Sequence, residues 1–302
     1  MVNYRSNGKL LLTGEYLVLD SAKSLALPTK FGQELSIIEN EGNCIDWKSF
    51  DEDSNLWFED TFLIDDILSS SFTSENDISQ RLIDIFKSIN TLSPGFFIPN
   101  KGYTITTTQD FNRVWGLGTS STLINNIASW ANIDAYKLLE LTFGGSGYDI
   151  ACAQNNTPII YQLIDKHPQV SQVDFNPKFK DHLYFVYLNQ KQNSRDGIAT
   201  YRKFKGDLKA SIYDINSITE AIILCKNLND FEKLITKHDY IISEIINQPP
   251  IKSRLFADFD GAIKSLGAWG GDFVLVASKN NPIDYFKIKG YTTILSYSDM
   301  IK

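Results

Sequence analysis

Apolar residues recur at Ile78, Leu82, Ile85, Phe86 and Ile89, the spacing of one helix face, and the run stops before the turn-forming triplet Ser93-Pro94-Gly95. A helix over residues 78–89 is predicted. Residues 10–12, 16–19 and 34–38 read instead as short apolar strands, and residues 103–108 alternate apolar with hydroxyl-bearing side chains over a β-branched run. The first half is therefore strand-rich. After residue 116 the pattern predicts a helix through Trp130, a second through Leu141 and a strand near residues 158–163. The polar stretch 165–180, with Pro168 and Pro177, is the expected domain boundary. Beyond it come a buried strand at 183–188, four helical stretches within 194–266, and closing strands at 273–277 and 291–296. Helices cluster between strands rather than alternating with them, so the fold class is α+β and not a doubly wound sheet.

Composition sets the scale. With 302 residues and 43% hydrophobic content the chain can bury a large core, and its length suits two domains, expected at 1–170 and 171–302. No apolar run approaches the roughly 20 residues that span a bilayer, and Met1-Val2-Asn3-Tyr4-Arg5 lacks the apolar centre of a signal peptide. A cytoplasmic protein with no membrane partner is expected. Cys44, Cys152 and Cys225 are widely spaced and match no metal-ligand pattern, so they read as reduced thiols, Cys152 as core. A net charge of −7 weighs against nucleic acid as a partner, which leaves any phosphate to be met locally. The acidic stretch 51–66, interleaved with Trp57, Phe58, Phe62 and Leu63, reads as a solvated loop or helix face. Oligomeric state is not legible.

A local phosphate site does stand out. Gly116-Leu117-Gly118-Thr119-Ser120-Ser121-Thr122 runs directly into the apolar segment 123–131. A glycine and hydroxyl loop at a helix start offers unpaired N–H groups and the positive end of the helix dipole, which suits a phosphate. The plainer alternative is a helix-capping turn. Two familiar nucleotide motifs are excluded: Gly8-Lys9 is followed by Leu10 with no P-loop glycine, and Gly116-Leu117-Gly118 lacks the third Rossmann glycine.

Three segments carry a resemblance to a known family. Ser6-Asn7-Gly8-Lys9-Leu10-Leu11-Leu12-Thr13-Gly14-Glu15-Tyr16, the Gly116 loop, and Gly267-Ala268-Trp269-Gly270-Gly271-Asp272-Phe273 resemble, in order and spacing, the three motifs of the GHMP kinases, and the resemblance covers nearly the whole chain. Gly145-Ser146-Gly147-Tyr148-Asp149-Ile150-Ala151 is similar to the stretch around the catalytic aspartate of mevalonate and phosphomevalonate kinases, and Asp272 leans toward the latter. The resemblance implies an N-terminal α+β nucleotide-binding domain, a ferredoxin-like C-terminal domain, ATP and Mg²⁺ as cofactors, and phosphoryl transfer to a hydroxyl or phosphate of a mevalonate-like acceptor. The alternatives it leaves are a diphosphomevalonate decarboxylase-like enzyme, a galactokinase-like sugar kinase, and a GHMP-fold binding protein that has lost catalysis.

Roles follow from the same resemblance. Asp149 would act as base toward the acceptor hydroxyl and Lys9 would offset the transition-state charge; their plainer readings are a helix N-cap and a surface lysine. Gly116, Leu117, Gly118, Thr119, Ser120 and Ser121 would hold the nucleotide. Ser120 aligns with a magnesium-ligating serine, and the companion glutamate has its nearest counterpart, out of register, in Glu140. Glu15, Ser146, Gly147, Lys191, Ser194, Gly270 and Gly271 are the expected substrate contacts, with a structural turn contact the alternative for Glu15 and a solvated surface position the alternative for Lys191 and Ser194. Arg113, Arg195 and Lys264 are further cations able to meet an acidic acceptor, and Trp269, where relatives carry glycine, is expected to flank the crevice. His167, His182 and His238 take no part in this assignment.

Overall fold

The computed structural model describes residues 1–69, 71–98, 100–190, 194–269 and 271–302, with residues 194–196 described by backbone alone. Its strands are β1 (Val2–Leu11), β2 (Ser24–Glu41), β3 (Cys44–Phe50), β4 (Leu56–Leu63), β5 (Lys101–Gln109), β6 (Ile159–Ile164), β7 (His167–Gln172), β8 (Leu183–Tyr187), β9 (Ala262–Ser265), β10 (Phe273–Ala277) and β11 (Ile294–Ser296). Its α-helices are α1 (Ile64–Leu68), α2 (Asp77–Leu92), α3 (Thr119–Ala131), α4 (Ala135–Thr142), α5 (Tyr148–Gln154), α6 (Ser194–Tyr201), α7 (Leu208–Leu224), α8 (Leu228–Ile246), α9 (Ile251–Leu255), α10 (Ile283–Ile288) and α11 (Tyr297–Met300). The class is α+β, as expected.

Two compact units form: residues 1–8, 31–113 and 118–154 make the first, and residues 9–30, 114–117 and 155–302 the second. They interleave along the chain and so cut it differently from the expected 1–170 and 171–302. In the first unit the strand order is β4-β3-β5-β2, antiparallel except for the parallel pair β3–β5. Period-two alternation points Leu35, Ile37, Ile45, Trp47, Tyr103 and Ile105 into one core, which α2, α3 and α4 line with Leu82, Phe86, Ile89, Ile124 and Leu138. Phe86 meets Trp47, Phe62 and Phe97 edge to face with ring centroids 5.5–5.9 Å apart. Asn76 caps α2 by accepting from the Ile78 and Ser79 N–H groups.

In the second unit β8, β9, β10 and β11 form an antiparallel sheet in the order β11-β8-β10-β9. With helices after β8 and after β10, this is the βαββαβ arrangement of a ferredoxin-like sheet, as expected for the C-terminal part. Its core holds Val186, Ile263, Val274, Val276, Phe256 and Phe286. The opening residues of β2 pair with β6, and β6 pairs with β7.

Four sequence expectations change. Residues 16–19 are not a strand: Leu17–Asp20 is a 3-10 helix, entered through Gly14 and Tyr16 and left through Ser21, all with positive φ. A short, continuous apolar run carries no period, so its pattern cannot separate strand from turn. The stretch 165–180 holds β7 rather than only a linker, because Asp165 and Lys166, both at positive φ, make the two-residue turn of a β6–β7 hairpin. Pro168 sits on that edge strand, where a missing N–H is tolerated. The acidic stretch contains strand β4, and β9 lies within the region read as helical.

Candidate functional site

In the first unit the phosphate-type loop opens α3. Gly118, at φ +97°, precedes the helix, and no side chain caps its N-terminus. An α-helix leaves its first N–H groups without internal partners, so an uncapped start presents donors and a positive dipole end. Ser120 is exposed at this turn, while Ser121 is buried and donates to the Gly118 carbonyl at 2.8 Å. The turn is braced from below. Gln109 donates to Thr119 Oγ1 at 3.0 Å, and Thr122 Oγ1 donates to Gln33 Oε1 at 2.8 Å. Deeper in α3, Asn125 donates to Ser6 at 2.9 Å, Ser6 donates to Asn126 at 2.7 Å, and Asn125 accepts from Gln154 of α5 at 2.9 Å.

That last bond ties α3 to the helix carrying Asp149. The glycines Gly144, Gly145 and Gly147 all take positive φ, which lets the chain turn into α5. Ala151 N–H donates to the Gly147 carbonyl at 3.2 Å, so Asp149 is not the N-cap but lies in the first turn, half-buried, with Ser146 and Gly147 buried just before it. A carboxylate there is favoured by the helix dipole. Glu140 is exposed near the end of α4. Among the described residues no three His, Cys, Asp or Glu side chains gather closely enough to hold a metal ion. The oxygen donors Ser120 and Glu140 suit Mg²⁺ in kind, but protein groups alone do not complete a site.

In the second unit, the half-buried Lys9 donates its backbone N–H to the Leu117 carbonyl at 2.9 Å, which fastens β1 to the approach of the loop. Gly116, at φ +70°, has no room for a side chain: a Cβ there would lie 2.6 Å from the Asp272 carboxyl carbon. The third motif therefore packs directly on the second. Gly271 is buried, whereas Gly270 and Lys191 lie outside the described residues, and Ser194 is described only as the start of α6. Trp269 is 1% exposed and does not line a crevice; it takes φ +54°, a conformation that glycine adopts without strain and bulky residues rarely do.

Beneath these turns lies a cluster the sequence reading missed. Glu15, 1% exposed, is ion-paired with Lys264, which is fully buried, and Lys264 also donates to the Ser265 carbonyl at 2.8 Å. Glu15 and Lys264 thus face each other and not a ligand; neither is an open substrate contact. His238 Nε2 accepts from the Gly14 N–H at 2.9 Å and lies 3.4 Å from Glu15 Oε2. Burial and the Lys264 charge hold the imidazole well below its ordinary pKa, so it is neutral, as an acceptor nitrogen requires. Burial also raises the Glu15 carboxyl against the pull of Lys264, and pushes Asp239 up to about 8. Asp239 accepts from Ser265 N–H at 3.2 Å while its second oxygen has no partner. The signal for His238 was its place on the apolar stripe Phe231, Ile235, Ile242, Ile245 of α8. Arg113, in the first unit, stacks over Trp57 at 3.4 Å.

No protein-family model matches the sequence, and no curated protein matches it. Solved structures do. The fold is that of the mevalonate and phosphomevalonate kinases. Mevalonate kinase from Methanococcus jannaschii superposes with a TM-score of 0.70 at 16% identity, covering 96% of this chain and 94% of that one. Streptococcus pneumoniae phosphomevalonate kinase, in complex with phosphomevalonate and AMPPNP, gives 0.70 at 13% identity, covering 96% and 95%. Lactococcus lactis galactokinase with galactose gives 0.67 at 12%, covering 97% and 92%. The architecture expected from the three motifs is present over nearly the full length. No helix among the described residues is long and apolar enough to cross a membrane.

Proposed function

We propose that this protein is an ATP-dependent small-molecule kinase that transfers a phosphoryl group to a hydroxyl or phosphate of a mevalonate-like metabolite. The observation that carries this reading is the uncapped α3 start behind Gly118, hydrogen-bonded through Asn125 and Gln154 to the helix that holds Asp149 in its first turn. A phosphate-binding helix end and a carboxylate are thereby fixed on two joined helices of one unit. The first amides of α3 and the Ser120 hydroxyl hold the nucleotide phosphates, and Gly116 and Leu117 shape the approach. Asp149 orients the acceptor hydroxyl and takes its proton, while Lys9 offsets charge on the transferring group. Mg²⁺, when bound with the nucleotide, would draw on Ser120 and neutralise phosphate charge, with Glu140 the expected carboxylate.

The similarity of fold to proteins solved with phosphomevalonate, AMPPNP and galactose supports a phosphorylated or polyhydroxylated acceptor. The test is an acceptor panel of mevalonate, phosphomevalonate, galactose and sugar phosphates, assayed with ATP and Mg²⁺ for the wild type and Asp149→Ala. Turnover of one acceptor that the variant loses is the expected result. AMPPNP binding with no turnover on any acceptor would overturn the kinase assignment, and carbon dioxide release from a diphosphorylated acceptor would replace it with a decarboxylase.

A further inference from the structure

Tyr16 joins three separate segments of the second unit. It has φ +64°, a conformation that is an outlier for a bulky residue and persists only where the surroundings over-determine it. Its ring, 7% exposed, stacks on Tyr201 of α6 with centroids 5.9 Å apart and planes 26° from parallel. Its hydroxyl donates to the Ala268 carbonyl at 2.8 Å. The same oxygen lies 2.1 Å from where a Cβ on Gly197 would stand, so α6 passes over the phenol at a glycine. The C-terminal end of α6 is secured nearby. Tyr201 donates to Asp20 at 2.5 Å, and Arg202 meets both Asp20 oxygens at 2.9 and 3.1 Å. Asp20 closes the 3-10 helix that Tyr16 opens.

We infer that Tyr16 is a positioning residue whose hydroxyl, held between the Ala268 carbonyl and the Cα of Gly197, sets the seat of α6 against the third-motif turn. A phenol is well suited to this. It has two side-chain torsions, both fixed by the stack on Tyr201, and a single polar atom at full reach. Trp269 and Asp272, at φ +54° and +55°, show that the turn receiving its hydrogen bond is itself held in a conformation most residues avoid. Burial, and after it the charges of Glu15 and Asp272, push the phenol well above its ordinary pKa, so it stays a donor throughout the physiological range. The consequence for acceptor affinity rests on the kinase reading above; the geometry does not.

The test uses the full chain with Tyr16→Phe, Gly197→Ala and the double variant. Amide hydrogen exchange of residues 194–205 and 266–269 should accelerate about five- to tenfold in Tyr16→Phe, the weight of one hydrogen bond, while exchange in α2 and α3 stays at the wild-type rate. Gly197→Ala should loosen α6 further, and the double variant should fall short of the product of the two effects, because removing the hydroxyl takes away the nearest of the three contacts an added Cβ would meet, leaving the ring carbons at 2.8 and 2.9 Å. On the acceptor found in the panel, Tyr16→Phe should raise KM for the acceptor about fivefold and leave KM for ATP unchanged. Wild-type exchange in α6 of Tyr16→Phe, or multiplicative effects in the cycle, would overturn the inference. If no acceptor is turned over the kinase reading fails, and the exchange data still decide the role of Tyr16; if Gly197→Ala does not fold, Tyr16→Phe alone decides it.

Discussion

Replacing Lys264 by methionine probes the buried pair that joins the Gly14 turn to β9. Both partners are at most 1% exposed, and the ammonium is directly engaged by Glu15 and by the Ser265 carbonyl. Removing one member of such a pair leaves a buried charge without compensation, which costs about 3–5 kcal/mol, whereas replacing both by neutral groups of similar size is close to neutral. Lys264→Met and Glu15→Gln should each lose about that amount at pH 7.5, a fall in Tm of about 6–15 °C, and the double variant should recover most of it. The sign of the pH dependence follows from Glu15. Its folded pKa is already raised by burial, and without Lys264 nothing opposes the rise. A carboxyl whose folded pKa exceeds its unfolded value loses stability as pH climbs, so the Lys264→Met penalty should shrink on acidification to pH 5, by up to about 1.4 kcal/mol per unit. Urea unfolding followed by circular dichroism at pH 5, 6.5 and 8 measures all three variants. Losses that simply add in the double variant, or a Lys264→Met penalty flat across pH, would refute the reasoning.

Asp239, whose pKa is pushed up to about 8 by burial, keeps its proton when folded and loses it when unfolded between about pH 4 and 8, so stability falls with rising pH across that window at up to about 1.4 kcal/mol per unit. Asp239→Asn lacks this term, and its stability relative to the wild type should grow from pH 5 to pH 8; a constant difference in urea titrations would count against the assignment. Asp149→Asn should lower kcat on the identified acceptor by about 10²- to 10⁴-fold and change AMPPNP affinity less than threefold by calorimetry, and a variant as active as the wild type would remove Asp149 from the chemistry. Gly118→Ala forces a side chain into φ +97° at the α3 start and should cost about 1–2 kcal/mol in unfolding assays. It should also weaken AMPPNP binding, and undiminished binding would show that the phosphates are held elsewhere.

Much of the architecture was legible because it rests on local periodicity. The stripe of α2, the alternation of β5, the four helices after β8 and the glycine loop at α3 each follow from spacing that a strand or helix must obey to bury one face. The short apolar run at residues 16–19 had no period to read, and the conformation there depends on Gly14, Tyr16 and Ser21 at positive φ. The hairpin turn at Asp165 and Lys166 escaped for the opposite reason. Neither residue is the glycine or asparagine that usually announces such a turn.

The sequence by itself determined the α+β class and the glycine loop, because each depends on residue type at fixed spacing; Asp149 and Lys9 were singled out by resemblance alone. Only the tertiary structure decided which charged residues are buried supports. Glu15, the adjacent pair His238 and Asp239, and Lys264 come from three distant parts of the chain, and nothing local marks them as neighbours. At 2% exposure or less a charge has no water to turn to, so Glu15 and Lys264 pair with each other, while burial favours the neutral forms of His238 and Asp239, which bond to the backbone N–H groups of Gly14 and Ser265. The same enclosure buried Glu15 and Lys264 against each other and folded Trp269 away from solvent.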